Sequence, residues 1–127
     1  MNFRTTVGAL AAMLLFSGCT TTITNLTPSN LPRSRDNLYP FEVALETSQT
    51  TLREDSIKAF VVIGEDLFPM RGVDKLKNRW ETAVVVPGGT NYAYYRYKFE
   101  YDFDKMASGK GRSSRLSPTY KLEIVDK

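Results

Sequence analysis

The side chains able to do chemistry are few, and their types restrict what that chemistry could be. The 127 residues include no histidine and a single cysteine, Cys19. Without histidine the chain lacks the commonest general acid or base and the commonest metal ligand, so Ser/His and Cys/His nucleophiles and Cys/His zinc sites are excluded. Carboxylates remain. Glu100, Asp102 and Asp104 recur at every second position, and Glu65 and Asp66 are adjacent. Two carboxylates across a cleft could hydrolyse a glycoside, and several together could hold calcium. Yet the Asp/Asn/Gly spacing of a calcium loop is missing, and no nucleophile stands beside an orienting base. The preferred reading is a solvated strand face and a polar turn, with no catalytic residue, metal or cofactor.

Binding residues are better candidates. Trp80, Tyr92 and Tyr94 could stack on the apolar face of a sugar or anchor a protein partner. Tyr94 falls among charged neighbours and is the aromatic most expected to be exposed. Trp80 reads more readily as a core residue of a sandwich. Lys110, Arg112 and Arg115 lie in a Gly/Ser-rich stretch that could touch anionic lipid heads or acidic glycans, though a solvated basic loop is the plainer reading. The charge balance is small: 17 basic against 14 acidic residues gives +3, which falls to +2 if Arg4 is removed with a leader. No Lys/Arg block of the kind that grips nucleic acid is present.

These residues need strands to position them. Phe41, Val43 and Leu45 alternate with polar neighbours. Ala59 to Ile63 is apolar on both faces, as in a central strand. Leu67 to Met70 is a short strand that Pro69 confines to an edge or a bulge. Trp80 to Val86 runs into the turn Pro87-Gly88-Gly89. From Tyr92 to Asp104 the period is two: Ala93, Tyr95, Tyr97, Phe99, Tyr101 and Phe103 form one face, and Arg96, Lys98, Glu100, Asp102 and Asp104 the other. Tyr120, Leu122 and Ile124 share a face of a last strand. Thr51 to Lys58 and Val73 to Arg79 could each hold a helical turn. The expectation is an all-β, immunoglobulin-like antiparallel β-sandwich of about six or seven strands, with a small barrel as the alternative.

The N-terminus reads differently. Arg4 precedes the apolar run Val7 to Phe16, which is too short to cross a bilayer and ends at Ser17-Gly18-Cys19. These features resemble the lipobox signal of bacterial lipoproteins, with Phe16 where leucine is usual. The resemblance implies that residues 1–18 are a cleaved signal peptide and that Cys19 is acylated, holding the chain on a membrane through lipid. Acylation also accounts for a lone cysteine in an oxidising compartment. Thr20, not aspartate, at the next position implies the outer membrane. Residues 19–37 are polar, contain Pro28 and Pro32, and are expected to be a flexible tether, with pairing of Ile23 to Leu26 as an edge strand the alternative. The folded domain would then be residues 38–127.

A second resemblance concerns this domain. Phe60-Val61-Val62-Ile63-Gly64-Glu65, Met70, Trp80, Val84-Val85-Val86-Pro87-Gly88-Gly89 and Tyr97-Lys98-Phe99-Glu100-Tyr101-Asp102 are similar to the early-set immunoglobulin-like modules that bind glycogen and starch. The similarity spans roughly residues 58–104 and implies the fold more than the ligand, because those modules use several exposed tryptophans and this chain has only Trp80. Together the readings describe a non-enzymatic, lipid-anchored envelope module that docks on a protein partner through a sheet face, an edge strand or loops. A carbohydrate-binding lipoprotein is the alternative, and an inhibitor of an envelope-degrading enzyme is a third reading without a motif.

Overall fold

Residues 92–105 organise the molecule. Their strict alternation sends Tyr95, Tyr97, Phe99 and Tyr101 into a core where each is at most 2% exposed. The structure, a computed structural model, describes residues 20–48, 52–105 and 109–126. In chain order the strands are β1 (Thr21–Asn25), β2 (Asn30–Pro32), β3 (Leu38–Thr47), β4 (Lys58–Ile63), β5 (Asp66–Gly72), β6 (Arg79–Val85), β7 (Tyr92–Lys105), β8 (Gly109–Leu116) and β9 (Tyr120–Val125). They form one curled path, β1-β3-β6-β5-β4-β7-β9-β2, with β8 added beside β7.

The path folds into two layers. β1, β3 and β6 make one; β4, β7, β9 and β2 make the other, with β5 at the fold. β5 pairs with β4 over Asp66–Met70 and reaches β6 only at Arg71 and Gly72. Pro69 therefore sits where β5 carries a single ladder, as its missing N–H requires. Phe41, Val43 and Leu45 from β3 meet Ala59, Val61, Tyr95, Tyr97, Phe99 and Leu122 between the layers. Phe41 and Tyr95 pack edge to face at 4.9 Å, and Trp80 does the same on Phe99 at 5.3 Å. Burial of this size is what orders so small a domain.

This strand order, with β2 parallel to β9 and every other pairing antiparallel, is an immunoglobulin-like arrangement. The all-β sandwich expected from the sequence is therefore present, but with nine strands among the described residues rather than six or seven. Two stretches account for the difference.

The first is the expected tether. Thr21–Asn25 pairs antiparallel with β3, and Asn30–Pro32 pairs parallel with β9. One extended segment thus crosses from one layer to the other and covers an edge of each. The physical reason is a set of side-chain hydrogen bonds between this segment and β7. Asn25 Nδ2 donates to the Tyr95 hydroxyl at 2.8 Å, and the Tyr97 hydroxyl donates to Asn25 Oδ1 at 2.7 Å. Thr27 Oγ1 lies 2.7 Å from the Tyr97 oxygen and accepts from the Glu42 amide at 2.9 Å. Thr27 is 8% exposed. Arg33, just beyond β2, ties its guanidinium to the Asp126 carboxylate and to Asn91 Oδ1.

The second is the expected flexible basic loop, which is β8. β9 pairs with β7 only over Tyr92–Tyr95, which leaves the distal half of that edge of β7 to be satisfied. β8 satisfies it from Lys98 to Lys105. Ser117 bridges the junction: its amide donates to the Tyr97 carbonyl at 2.9 Å and its Oγ accepts from the Tyr97 amide at 2.8 Å. The composition of β8 is unlike a strand because β7, not its own side chains, holds it in place.

The two expected helical turns diverge. Glu54–Ser56 is one 3-10 turn. Residues 73–78 form a loop in which Lys75 and Asn78 adopt left-handed backbone, with φ 66° and 68°.

Candidate functional site

The outward residues of β7 and its neighbours form the candidate site. Because β7 is strictly alternating, the positions between the core aromatics are Tyr92, Tyr94, Arg96, Lys98, Glu100, Asp102 and Asp104. Cross-strand register then fixes their neighbours. Val62 lies opposite Arg96 and Phe60 opposite Lys98 on β4. Leu67 lies opposite Val62 on β5, Leu116 opposite Lys98 on β8, and Lys121 opposite Tyr94 on β9. Val62, Leu67, Leu116 and the stems of Arg96 and Lys98 line one shallow, open groove. Leu67 is 50%, Tyr94 54% and Leu116 54% exposed. This is an apolar strip flanked by Arg96 and Lys98, with Glu65 also at its margin, on the outer face of a sheet.

The sequence candidates fall into place unevenly. Tyr92 and Tyr94 are brought together: both are exposed, and their rings meet edge to face at 5.4 Å. Lys121 Nζ stands 5.0 Å from the centre of the Tyr92 ring. The two ring planes are 71° apart, so they do not make a flat stacking platform. Trp80 belongs to the other layer. It is half-buried and packed on Phe99, on the core side.

Lys110, Arg112 and Arg115 lie on β8. Lys110 and Arg112 share the outer face and sit opposite Asp104 and Asp102. Arg112 Nε is 3.4 Å from the Asp102 carboxylate. Arg115 points to the other face, where its Nε lies 3.5 Å from the Tyr101 hydroxyl. At ~3.3 Å per residue, the eight steps from Tyr94 to Asp102 put Arg112 roughly 26 Å from the tyrosine pair. The basic residues and the aromatics are therefore two separate features. Cys19 lies outside the described residues.

The carboxylates do not converge. Among the described residues no group of three or more His, Cys, Asp or Glu is placed to hold a metal ion. Glu65 follows Gly64 in an exposed hairpin turn, and Asp66 begins β5 beside it. Titration is perturbed elsewhere. Burial pushes the phenols of Tyr95 and Tyr97 above the ordinary tyrosine value, opposed in part by their hydrogen bonds to Asn25 and Thr27. These groups hold the N-terminal segment and face no open site. Asp126 is held below the usual carboxylate range by the Arg33 guanidinium.

Arg96, Lys98, Leu67 and Leu116 were not singled out in the sequence. The alternation on β7 already put Arg96 and Lys98 beside Tyr94. Leu67 and Leu116 join them only through the pairing of four strands.

No helix among the described residues is long and apolar enough to cross a membrane. No protein-family model matches the sequence, and no curated protein is recognisably similar to it. Among solved structures, the chain is similar to AggA, the major subunit of aggregative adherence fimbriae type I from Escherichia coli. That similarity has 14% identity and a TM-score of 0.46, and covers 86% of this chain and 97% of the other.

Proposed function

We propose that this chain is a non-enzymatic module of the bacterial envelope, anchored by lipid on Cys19 and docking on a protein partner through the outer face of β7. The observation that carries the docking reading is the exposed strip of Leu67, Leu116 and Tyr94 around Arg96 and Lys98. Beside it, among the described residues, β8 pairs with β7 alone. An apolar strip with an aromatic and an arginine has the composition of a protein-recognition patch, and a free strand edge can take up an extended segment. Anchoring rests on the leader and Ser17-Gly18-Cys19, and the outer membrane on Thr20. The carbohydrate reading draws on Tyr92 and Tyr94, but crossed ring planes and a Trp80 packed on the core supply no platform for a glycan. Neither anionic lipid nor glycan is needed to account for Lys110, Arg112 or Arg115.

The test is photo-crosslinking in cells. A photoreactive amino acid is placed at Leu116 or Tyr94, with Ala83 on the outer face of the opposite layer as control. One defined envelope protein captured from positions 116 and 94, but not from 83, supports the proposal. Equal capture from all three, or none, sinks the docking surface. Metabolic labelling with palmitate, lost in Cys19→Ser, tests the anchor separately.

A further inference from the structure

We infer that the domain has no stand-off from its membrane, and that the loop of residues 73–78 is the part of its surface held in the lipid headgroup layer. The inference rests on the lipidation of Cys19. Its starting point is Thr20, the residue after that cysteine. The Thr20 amide donates to Ser48 Oγ at 2.7 Å, and the Thr20 carbonyl accepts from the Ser48 amide at 2.9 Å. The next residue, Thr21, is already in the ladder opposite Thr47. A lipidated Cys19 would thus be one peptide unit, about 3.5 Å, from a position pinned to the end of β3. The stretch expected to act as a tether supplies no length.

Pinning selects which end of the domain faces the lipid. On the other side of β3, Arg79 lies opposite Ala44, and the Leu45 amide donates to the Asn78 carbonyl at 2.9 Å. The loop 73–78 therefore continues past the start of β6 at the same end of β3 as Thr20. With β1 and β6 flanking β3, two strand spacings separate them, roughly 10 Å. The loop presents Leu76, 48% exposed, between the exposed Lys75 and Lys77, with Asp74 its one acid. An apolar tip flanked by lysines suits the boundary between acyl chains and anionic headgroups: the leucine enters, and the ammonium groups stay at the phosphates. The opposite end carries Gly64 and Glu65. β5 leads there from Gly72 to Asp66, six steps or about 20 Å away.

The lipoprotein purified from membranes is reconstituted into phosphatidylethanolamine/phosphatidylglycerol vesicles that contain a headgroup-labelled nitroxide lipid. Acylation occupies the Cys19 thiol, so Leu76→Cys and Glu65→Cys each supply one site for a fluorophore. Quenching at least about threefold stronger at 76 than at 65 is expected, because ~20 Å puts 65 outside the headgroup layer. Inserting about ten Gly and Ser residues after Cys19 adds a mean span of roughly 18 Å and should abolish the difference. Protein that floats with the vesicles but is quenched equally at 76 and 65, or is unaffected by the spacer, overturns this inference alone. Protein that does not float overturns the lipidation reading, and this inference with it.

Discussion

Removing a single oxygen, with Tyr97→Phe, should loosen the first twelve residues of the folded region before anything else. The Tyr97 ring is fully buried, and its hydroxyl is where β7 meets the segment that crosses between layers. It donates to Asn25 Oδ1 at 2.7 Å and accepts from Thr27 Oγ1 at 2.7 Å. Phenylalanine keeps the ring and its packing, so the loss is confined to these two bonds and a longer contact of the hydroxyl with the Glu42 carbonyl at 3.1 Å. The Asn25 oxygen retains the Thr27 amide at 3.1 Å, and the Thr27 hydroxyl can turn to the Glu42 carbonyl at 3.3 Å. That partial rescue places the cost near the middle of the range for a buried polar group stripped of a partner, about 2 kcal/mol. In a domain of this size each kcal/mol moves the melting temperature by about 4–8 °C. Equilibrium urea unfolding gives the free energy. Hydrogen exchange shows where it is felt, and protection should fall first at residues 21–27. Tyr95→Phe, which removes the bond from Asn25 Nδ2, should cost less. A Tyr97→Phe cost below about 0.5 kcal/mol, with unchanged exchange in β1, would mean that the hydroxyl network does not hold this segment.

Two further outcomes follow from the same core and from the β7–β8 hairpin. Tyr95 and Tyr97 titrate above the ordinary phenol value in the folded protein, mainly through burial. An acid whose folded pKa is raised stabilises the fold fully below its unfolded pKa, and that stability is lost as pH climbs from about 10 toward the folded pKa. Melting temperature should therefore fall above about pH 10, and less steeply in Tyr97→Phe. At Gly111, a Cβ would come within 2.5 Å of Phe103 Cζ on the opposite strand. Gly111→Val should push the ring off β8 and cost about 1–3 kcal/mol, read by urea unfolding, with faster exchange confined to residues 98–116.

What the sequence made legible tracks what period two can encode. Where one face is buried and the other wet, as in β3 and β7, the side chains carry the assignment themselves. Phe41, Val43 and Leu45, and alternate residues Ala93, Tyr95, Tyr97, Phe99 and Tyr101, all point inward as their spacing requires. β8 and the β1–β2 segment are different. Gly109-Lys110-Gly111-Arg112 has no apolar face to bury, and Asn25 and Thr27 are held by hydrogen bonds with Tyr95 and Tyr97, about seventy residues on. A polar residue whose partner is that distant looks like a linker in one dimension. The one local hint was the phenols themselves, since two tyrosines on a core face each need a buried partner for a hydroxyl. The candidate site was half legible for the same reason. Tyr94, Arg96 and Lys98 share a strand and so a face, whereas Leu67 and Leu116 arrive from strands whose neighbours only the fold determines.

The treatment of strand edges connects the fold to the proposed docking. An open curled sheet ends in exposed N–H and C=O groups that invite other strands. Here one short segment covers two such edges, β1 on β3 and β2 on β9. Among the described residues β1, β2 and β8 each pair on one side alone, and β8 carries devices that discourage self-addition: two glycines, and Lys110, Arg112 and Arg115 along eight residues. Two copies of β8 laid edge to edge would bring like charges together. An extended partner segment carrying Asp or Glu meets no such repulsion, and Arg112 already shows the pairing with Asp102 inside the chain. The same basic residues that keep this edge from a second copy therefore leave it open to an acidic strand, and the apolar strip of Leu67 and Leu116 next to it gives such a partner something to bury.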